Sequence, residues 1–168
     1  MAAAKKSSAR TFATKNDLDK GVRKRMVELL NQQLADSLDL YSQTKQAHWN
    51  VKGPDFYQLH LMFDEHAGHV VGWVDMLAER AVMLGGYATG TVRMSAAASR
   101  LPEYPIDVTG GMDHVAALVD RWSAYAASTR AGIDVAEEAG DQDTADLLTE
   151  ISRQVDMDLW FQEAHLQG

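Results

Sequence analysis

The chain has 168 residues, 46% of them apolar and none of them cysteine, which suits one soluble domain with a real core and excludes a disulfide framework. The net charge of −8 conceals an asymmetry: residues 1–25 carry eight basic and two acidic side chains, net +6, which leaves −14 on the remainder. No apolar run is long enough to span a bilayer, and the polar, basic N-terminus lacks the apolar stretch of a secretion signal, so a cytoplasmic protein is expected.

Residues 1–15, MAAAKKSSARTFATK, have almost nothing to bury and read as a flexible basic arm on a domain spanning 16–168. Asn16 reads as an N-cap with Asp17 and Asp19 behind it. From there Val22, Met26, Leu29, Leu30, Leu34, Leu38 and Tyr41 recur at three- and four-residue steps up to Gly53-Pro54, giving a helix of about 32 residues, roughly 48 Å long. Pro54 opens a second helix and Gly85-Gly86 stops it. Its core stripe is Phe56, Leu59, Phe63, Val70, Val74, Leu77, Ala81 and Leu84, and a second stripe runs through Met62, His69, Trp73 and Met76. A helix apolar on two faces is covered on two faces, which predicts a partner beyond its own bundle.

Residues 87–110 contain Pro102, Pro105, Gly90 and Gly110, with SAAASRL (95–101) as a short helical candidate. A connector of this length has a task in a compact domain, here to cross the length of the bundle, so that the helices on either side run the same way. A third long helix follows at about 112–139 with Val115, Leu118, Trp122, Tyr125 and Ile133 as core. The fourth is capped by Asp141 or Asp143 and carries Leu147, Leu148, Ile151, Val155, Leu159 and Trp160. The fold class is therefore all-α, a ferritin-like four-helix bundle whose long crossover between helices two and three carries a short extra helix.

The chemistry concentrates between Lys45 and Glu79. His48, His60, Asp64, Asp75 and Glu79 bring two imidazoles and three carboxylates into a segment that otherwise reads as buried helix. Such nitrogen and oxygen donors suit iron, and the lack of a thiolate argues against structural zinc or an iron–sulfur cluster. His60 with Asp64, and Asp75 with Glu79, are i,i+4 pairs, each able to present two side chains to one ion. Residues 64 and 75 are eleven apart, about 16 Å along the axis, so the pairs cannot share an ion within one chain. A second copy of the helix, packed antiparallel about a two-fold axis near His69 and Val70, brings 60–64 of one chain to 75–79 of the other. Gly68 and Gly72 permit that approach, and His48 adds a third ligand to the 60–64 side. The intrachain di-iron alternative needs Glu-x-x-His motifs, and none of the six histidines has Glu three residues before it. A metal-free structural bundle is the competing reading.

KQAHWNVKG, the spacing H-x11-H-x3-D-x10-D-x3-E, the following AERAVMLGG, and DTADLLTEISRQVDMDLWF in the last helix resemble the Dps family, the DNA-binding proteins from starved cells or mini-ferritins, over about residues 17–163. The resemblance implies a homododecameric shell that oxidises Fe2+ with hydrogen peroxide or oxygen, stores Fe3+ and protects DNA from oxidative damage. It implies a ferroxidase centre at each two-fold interface, with His48, His60 and Asp64 from one subunit and Asp75 and Glu79 from its neighbour. Trp49 resembles the tryptophan the family places beside that centre to absorb stray oxidising equivalents; a core or interface aromatic is the other reading. Asp134, Glu137, Glu138, Asp141, Asp143 and Asp146 match either an acidic pore that admits iron or a solvated acidic face. The arm, with Lys5, Lys6, Arg10 and Lys15, is either a sequence-independent DNA contact and nucleoid tether or a solubilising tail. An alternative balance makes the protein mainly a nucleoid-compacting DNA-binding protein with secondary iron chemistry.

Overall fold

In the computed structural model, which describes residues 10–167, the first long helix starts later than the sequence suggests. Asn16 is not its cap: the Asn16 side chain accepts from the Leu18 amide in a tight turn, and Asp19, accepting from Gly21, caps α1 (Lys20–Asn50). Upstream of that turn, the Phe12 amide donates to the Gly85 carbonyl, so the chain from Phe12 onward lies along the bundle. Arg10 and Lys15 are exposed; Lys5 and Lys6 lie outside the described residues.

α2 (Phe56–Met83) follows a five-residue turn in which Gly53 adopts φ +114° and Pro54 leads into the helix. Gly85 at φ +82° and the bond from the Gly86 amide to Ala81 O end it, because only glycine takes the left-handed conformation without strain. The crossover holds α3 (Val92–Ala98), three residues earlier than expected, because Thr91 accepts from the Met94 amide and fixes the start there. α4 (Gly111–Ala139) ends on Gly140 at φ +75°. Asp141 caps α5 (Gln142–Ala164) by accepting from Thr144.

Side-chain contacts give the directions. His60 meets His48 and Gly86 meets Val27, so α2 runs antiparallel to α1. Arg121 reaches Gln43 and Gln33 reaches Ser128, so α4 is also antiparallel to α1. The two helices flanking the crossover therefore run in the same direction, as its length requires. α5 lies antiparallel to both, through Arg130 with Asp156 and Arg80 with Asp141.

The core is continuous along the bundle, from Met26, Leu30 and Leu34 through Phe63, Val70 and Leu77 to Trp122, Tyr125, Leu148 and Ile151. Two expected core residues are not in it: Phe56 and Trp160 are both exposed. Phe56 opens α2 with its ring 5.1 Å from that of His60, and Trp160 lies one position past the stripe that Ile151, Val155 and Leu159 define. On the second stripe of α2, Trp73 is buried, whereas Met62, His69 and Met76 stay half-exposed. No described helix is long and apolar enough to cross a membrane.

Candidate metal centre

The α1–α2 hairpin brings the end of one helix beside the start of the next, and this places His48 against His60. Their rings stack at 3.8 Å. His48 Nδ1 lies 2.8 Å from the His60 carbonyl, and His60 Nδ1 lies 2.9 Å from the His48 carbonyl. A carbonyl only accepts, so each Nδ1 carries the proton and donates it, which leaves each Nε2 with a free lone pair. Backbone anchoring of one imidazole nitrogen is how proteins fix the tautomer of a metal-binding histidine.

Asp64, one turn beyond His60, completes the half-site. Its Oδ1 lies 3.9 Å from His48 Nε2 and 2.5 Å from Lys45 Nζ. The hydrogen bond from Lys45 holds the Asp64 carboxyl below the usual range, against desolvation in the other direction, and the charge of Lys45 adds to the lowering. The carboxylate is thus ionised and half-exposed, with an ammonium on the oxygen that faces the histidines. Sequence reasoning passed over Lys45, although it sits one turn before His48 on the same helix face.

Asp75 and Glu79 are exposed on α2, about three and four turns beyond Asp64. Among the described residues, no group of three or more His, Asp or Glu side chains is close enough to hold an ion within one chain. The structure thus pairs His48 with His60 and leaves Asp64 3.9 Å from His48 Nε2, with Asp75 and Glu79 further along α2. Trp49 is exposed beside this half-site, its ring 5.9 Å below Lys45 Nζ.

The acidic run divides. Asp134, Glu137, Glu138, Asp143 and Asp146 are exposed around the α4–α5 junction. Asp141 differs from the expectation for a pore residue: it is 2% exposed, bound to Arg80 Nη2 at 2.6 Å and committed to the α5 cap. A second polar group, missed from sequence, lies between α2 and α5. Asp158, buried, accepts from His69 Nδ1 at 2.9 Å, and its other oxygen lies 3.7 Å from His66 Nε2. Burial pushes the His66 imidazole down to about 4 and raises the Asp158 carboxyl. The available signal was the HAGH repeat at 66–69, whose one-turn spacing puts both rings on one side of α2.

The sequence pattern of the ferritin-like domain family matches residues 27–168. The DNA protection during starvation protein of Agrobacterium fabrum is 42% identical over 158 residues, which cover 94% of this chain and 98% of that relative. DpsC from Streptomyces coelicolor superposes with a TM-score of 0.88 at 31% identity, over 96% of this chain and 93% of its own. The chain belongs to the Dps family. The same bundle recurs in the Dps protein of Vibrio cholerae, described as a member of a broad superfamily of ferritin-like diiron-carboxylate proteins. It has a TM-score of 0.86 at 27% identity and covers 96% of this chain and all of its own. Dps membership accounts for the four-helix bundle and its short extra helix.

Proposed function

We propose that this Dps protein oxidises Fe2+ with hydrogen peroxide at centres shared between two copies of the chain, and stores the Fe3+ product inside a dodecameric shell. The observation that carries the reading is the reciprocal anchoring of His48 and His60, which leaves both Nε2 lone pairs free beside an ionised Asp64. Asp75 and Glu79 of a second copy supply the remaining carboxylates. Gly68 and Gly72, at the centre of the outer face of α2, have no atom within 4 Å of where a Cβ would stand, so a second helix has room to approach. The relatives' ferritin-like and diiron-carboxylate descriptions agree with iron as the substrate.

Each residue then has a task. The imidazoles bind Fe2+ without adding charge. The three carboxylates offset the charge of the ions and favour the harder ferric product. Lys45 holds Asp64 ionised in the absence of iron and gives up its oxygen when iron arrives. Two ferrous ions each give one electron to a single peroxide, whose O–O bond breaks to two hydroxides, so no hydroxyl radical is released. Trp49 stands where it can absorb a stray oxidising equivalent. Asp134, Glu137, Glu138, Asp143 and Asp146 draw cations towards the shell.

DNA protection follows from removing iron and peroxide together, and the relatives' shared name agrees with it. The basic arm adds direct DNA binding: Arg10 and the residues before it lie beyond the point where Phe12 is tied to Gly85, and twelve such arms act together on one polyanion. Deleting residues 1–9 should weaken the shift of duplex DNA at moderate salt without affecting Fe2+ oxidation. Peroxide-driven oxidation of Fe2+, followed by ferric absorbance, should fall towards the uncatalysed rate in a His48→Ala/His60→Ala variant. An unchanged rate would remove the histidine pair from the site.

A further inference from the structure

Tyr104, on the crossover between α3 and α4, is 7% exposed, and its hydroxyl lies 2.6 Å from Nδ1 of His114 in the first turn of α4. The rings are 6.1 Å apart and nearly parallel at 16°. Burial pushes the phenol up to about 12, with Arg121 opposing. Burial also pushes the imidazole down, with the Asn50 backbone opposing. At neutral pH both groups are uncharged, and in the imidazole tautomer protonated at Nε2 the phenol donates its hydrogen bond to Nδ1. The ring's own proton then sits on the buried Nε2. Above the phenol ring, 5.7 Å from its centre, is the guanidinium of Arg121, held by Gln43, the Ala117 carbonyl and the Glu103 carbonyl.

We propose that Tyr104 and His114 are a redox-active pair that takes up one-electron oxidising equivalents, the electron leaving Tyr104 as its proton passes to His114 Nδ1. A phenol that loses an electron alone becomes a radical cation, and the fixed positive charge of Arg121 over the ring disfavours that species. Electron loss coupled to proton transfer leaves a neutral ring, and the acceptor already lies at hydrogen-bonding distance. The Asn50 backbone, which favours a positive His114, stabilises the imidazolium that results. The oxidant is a one-electron oxidant of the hydroxyl-radical class. Its radical takes one electron and becomes hydroxide, the phenolic proton goes to His114, and the products are a neutral tyrosyl radical and an imidazolium. A further Fe2+ returns the electron, and the proton goes back to the phenolate oxygen.

The supply of that oxidant rests on the proposed iron chemistry: a centre holding a single Fe2+ has one electron for peroxide and releases hydroxyl radical. Asn50 is two residues from His48 and adjacent to Trp49, so the pair lies under the same end of α1 as the half-site, on its buried side. Trp49, exposed, and Tyr104, enclosed, would then receive the same stray equivalents in turn.

The test uses the assembled, full-length protein and freeze-quenched electron paramagnetic resonance. In one arm the metal-free protein is photo-oxidised with ruthenium tris-bipyridine and persulfate; in the other, Fe2+ below one ion per chain is mixed with hydrogen peroxide. A neutral tyrosyl signal is expected in the photo-oxidised arm, lost in Tyr104→Phe and greatly diminished in His114→Gln, which offers the hydroxyl an oxygen acceptor but no basic nitrogen. A signal that persists in Tyr104→Phe, or is undiminished in a His114→Gln protein of native circular dichroism, overturns the proposal. A Tyr104 radical in the photo-oxidised arm but not in the peroxide arm leaves the pair standing and removes the iron centre as the source of its oxidant.

Discussion

Replacing Asp141 by alanine should cost far more than its place in an acidic run suggests. The carboxylate caps α5 through the Thr144 amide at 3.1 Å and holds Arg80 Nη2 at 2.6 Å. Losing the cap costs about 1 kcal/mol. Leaving a guanidinium unpaired in the interior costs roughly 3 kcal/mol more. Asp143 recovers little of this, since it lies 3.5 Å from Arg80 with 84% of its side chain exposed. The sum of about 4 kcal/mol corresponds, for a chain of this size, to a Tm lowered by roughly 10 °C. Thermal unfolding by circular dichroism, at one fixed protein concentration because assembly contributes to stability, reads this directly. Asp141→Asn keeps the cap and should fall in between, while Asp143→Ala should shift stability by no more than about 0.5 kcal/mol. Equal effects of Asp141→Ala and Asp143→Ala would refute the assignment of Asp141 as a structural rather than a pore carboxylate.

Two further predictions concern the middle of α2 and the turn that ends it. His66 has an ordinary value of 6.5 and a folded value of about 4, so the unfolded chain binds the extra proton first. Its stabilising contribution is complete above pH 6.5 and is lost as pH falls towards 4, by up to about 3 kcal/mol. Asp158, raised by burial, works in the opposite sense and offsets part of the loss; urea midpoints of His66→Leu should depend less on pH across that window than those of the parent. Gly86→Ala should destabilise by about 2 kcal/mol, because the added Cβ would meet Val27 Cγ2 at 2.6 Å and the Ala81 carbonyl at 2.8 Å, and backbone does not yield as a side-chain tip does. Denaturant unfolding of that variant checks it.

Helix periodicity, the paired glycines at 85–86 and the length of the crossover made the bundle legible in the sequence, down to the common direction of α2 and α4. The errors fall where a local side chain outcompetes composition. Asp19 rather than Asn16 starts α1, because Asn16 is engaged in its own turn. Thr91 moves α3 ahead of the alanine run. Spacing along α2 also separated Asp64 from Asp75, since a helix is rigid enough for distance to follow from numbering. What spacing could not supply was the contact across elements: Lys45 on Asp64, Arg80 on Asp141, Asp158 between His66 and His69, and Tyr104 against His114. Each joins residues at least ten positions apart, or in Lys45's case nineteen, and none leaves a periodic trace.

The central claim is that a complete iron centre takes one half from each of two chains. Two variants separate the halves: His48→Ala/His60→Ala, and Asp75→Ala/Glu79→Ala. Each assembled alone should oxidise Fe2+ no faster than the uncatalysed reaction with peroxide. Disassembled, mixed in equal amounts and reassembled, they should regain activity, because each two-fold pair of unlike chains combines the intact histidines of one with the intact carboxylates of the other. Half of the pairs are unlike, and one of the two sites in each is whole, so about a quarter of the parent activity is expected. Reassembled mixtures that stay as inactive as either parent variant would contradict the shared centre.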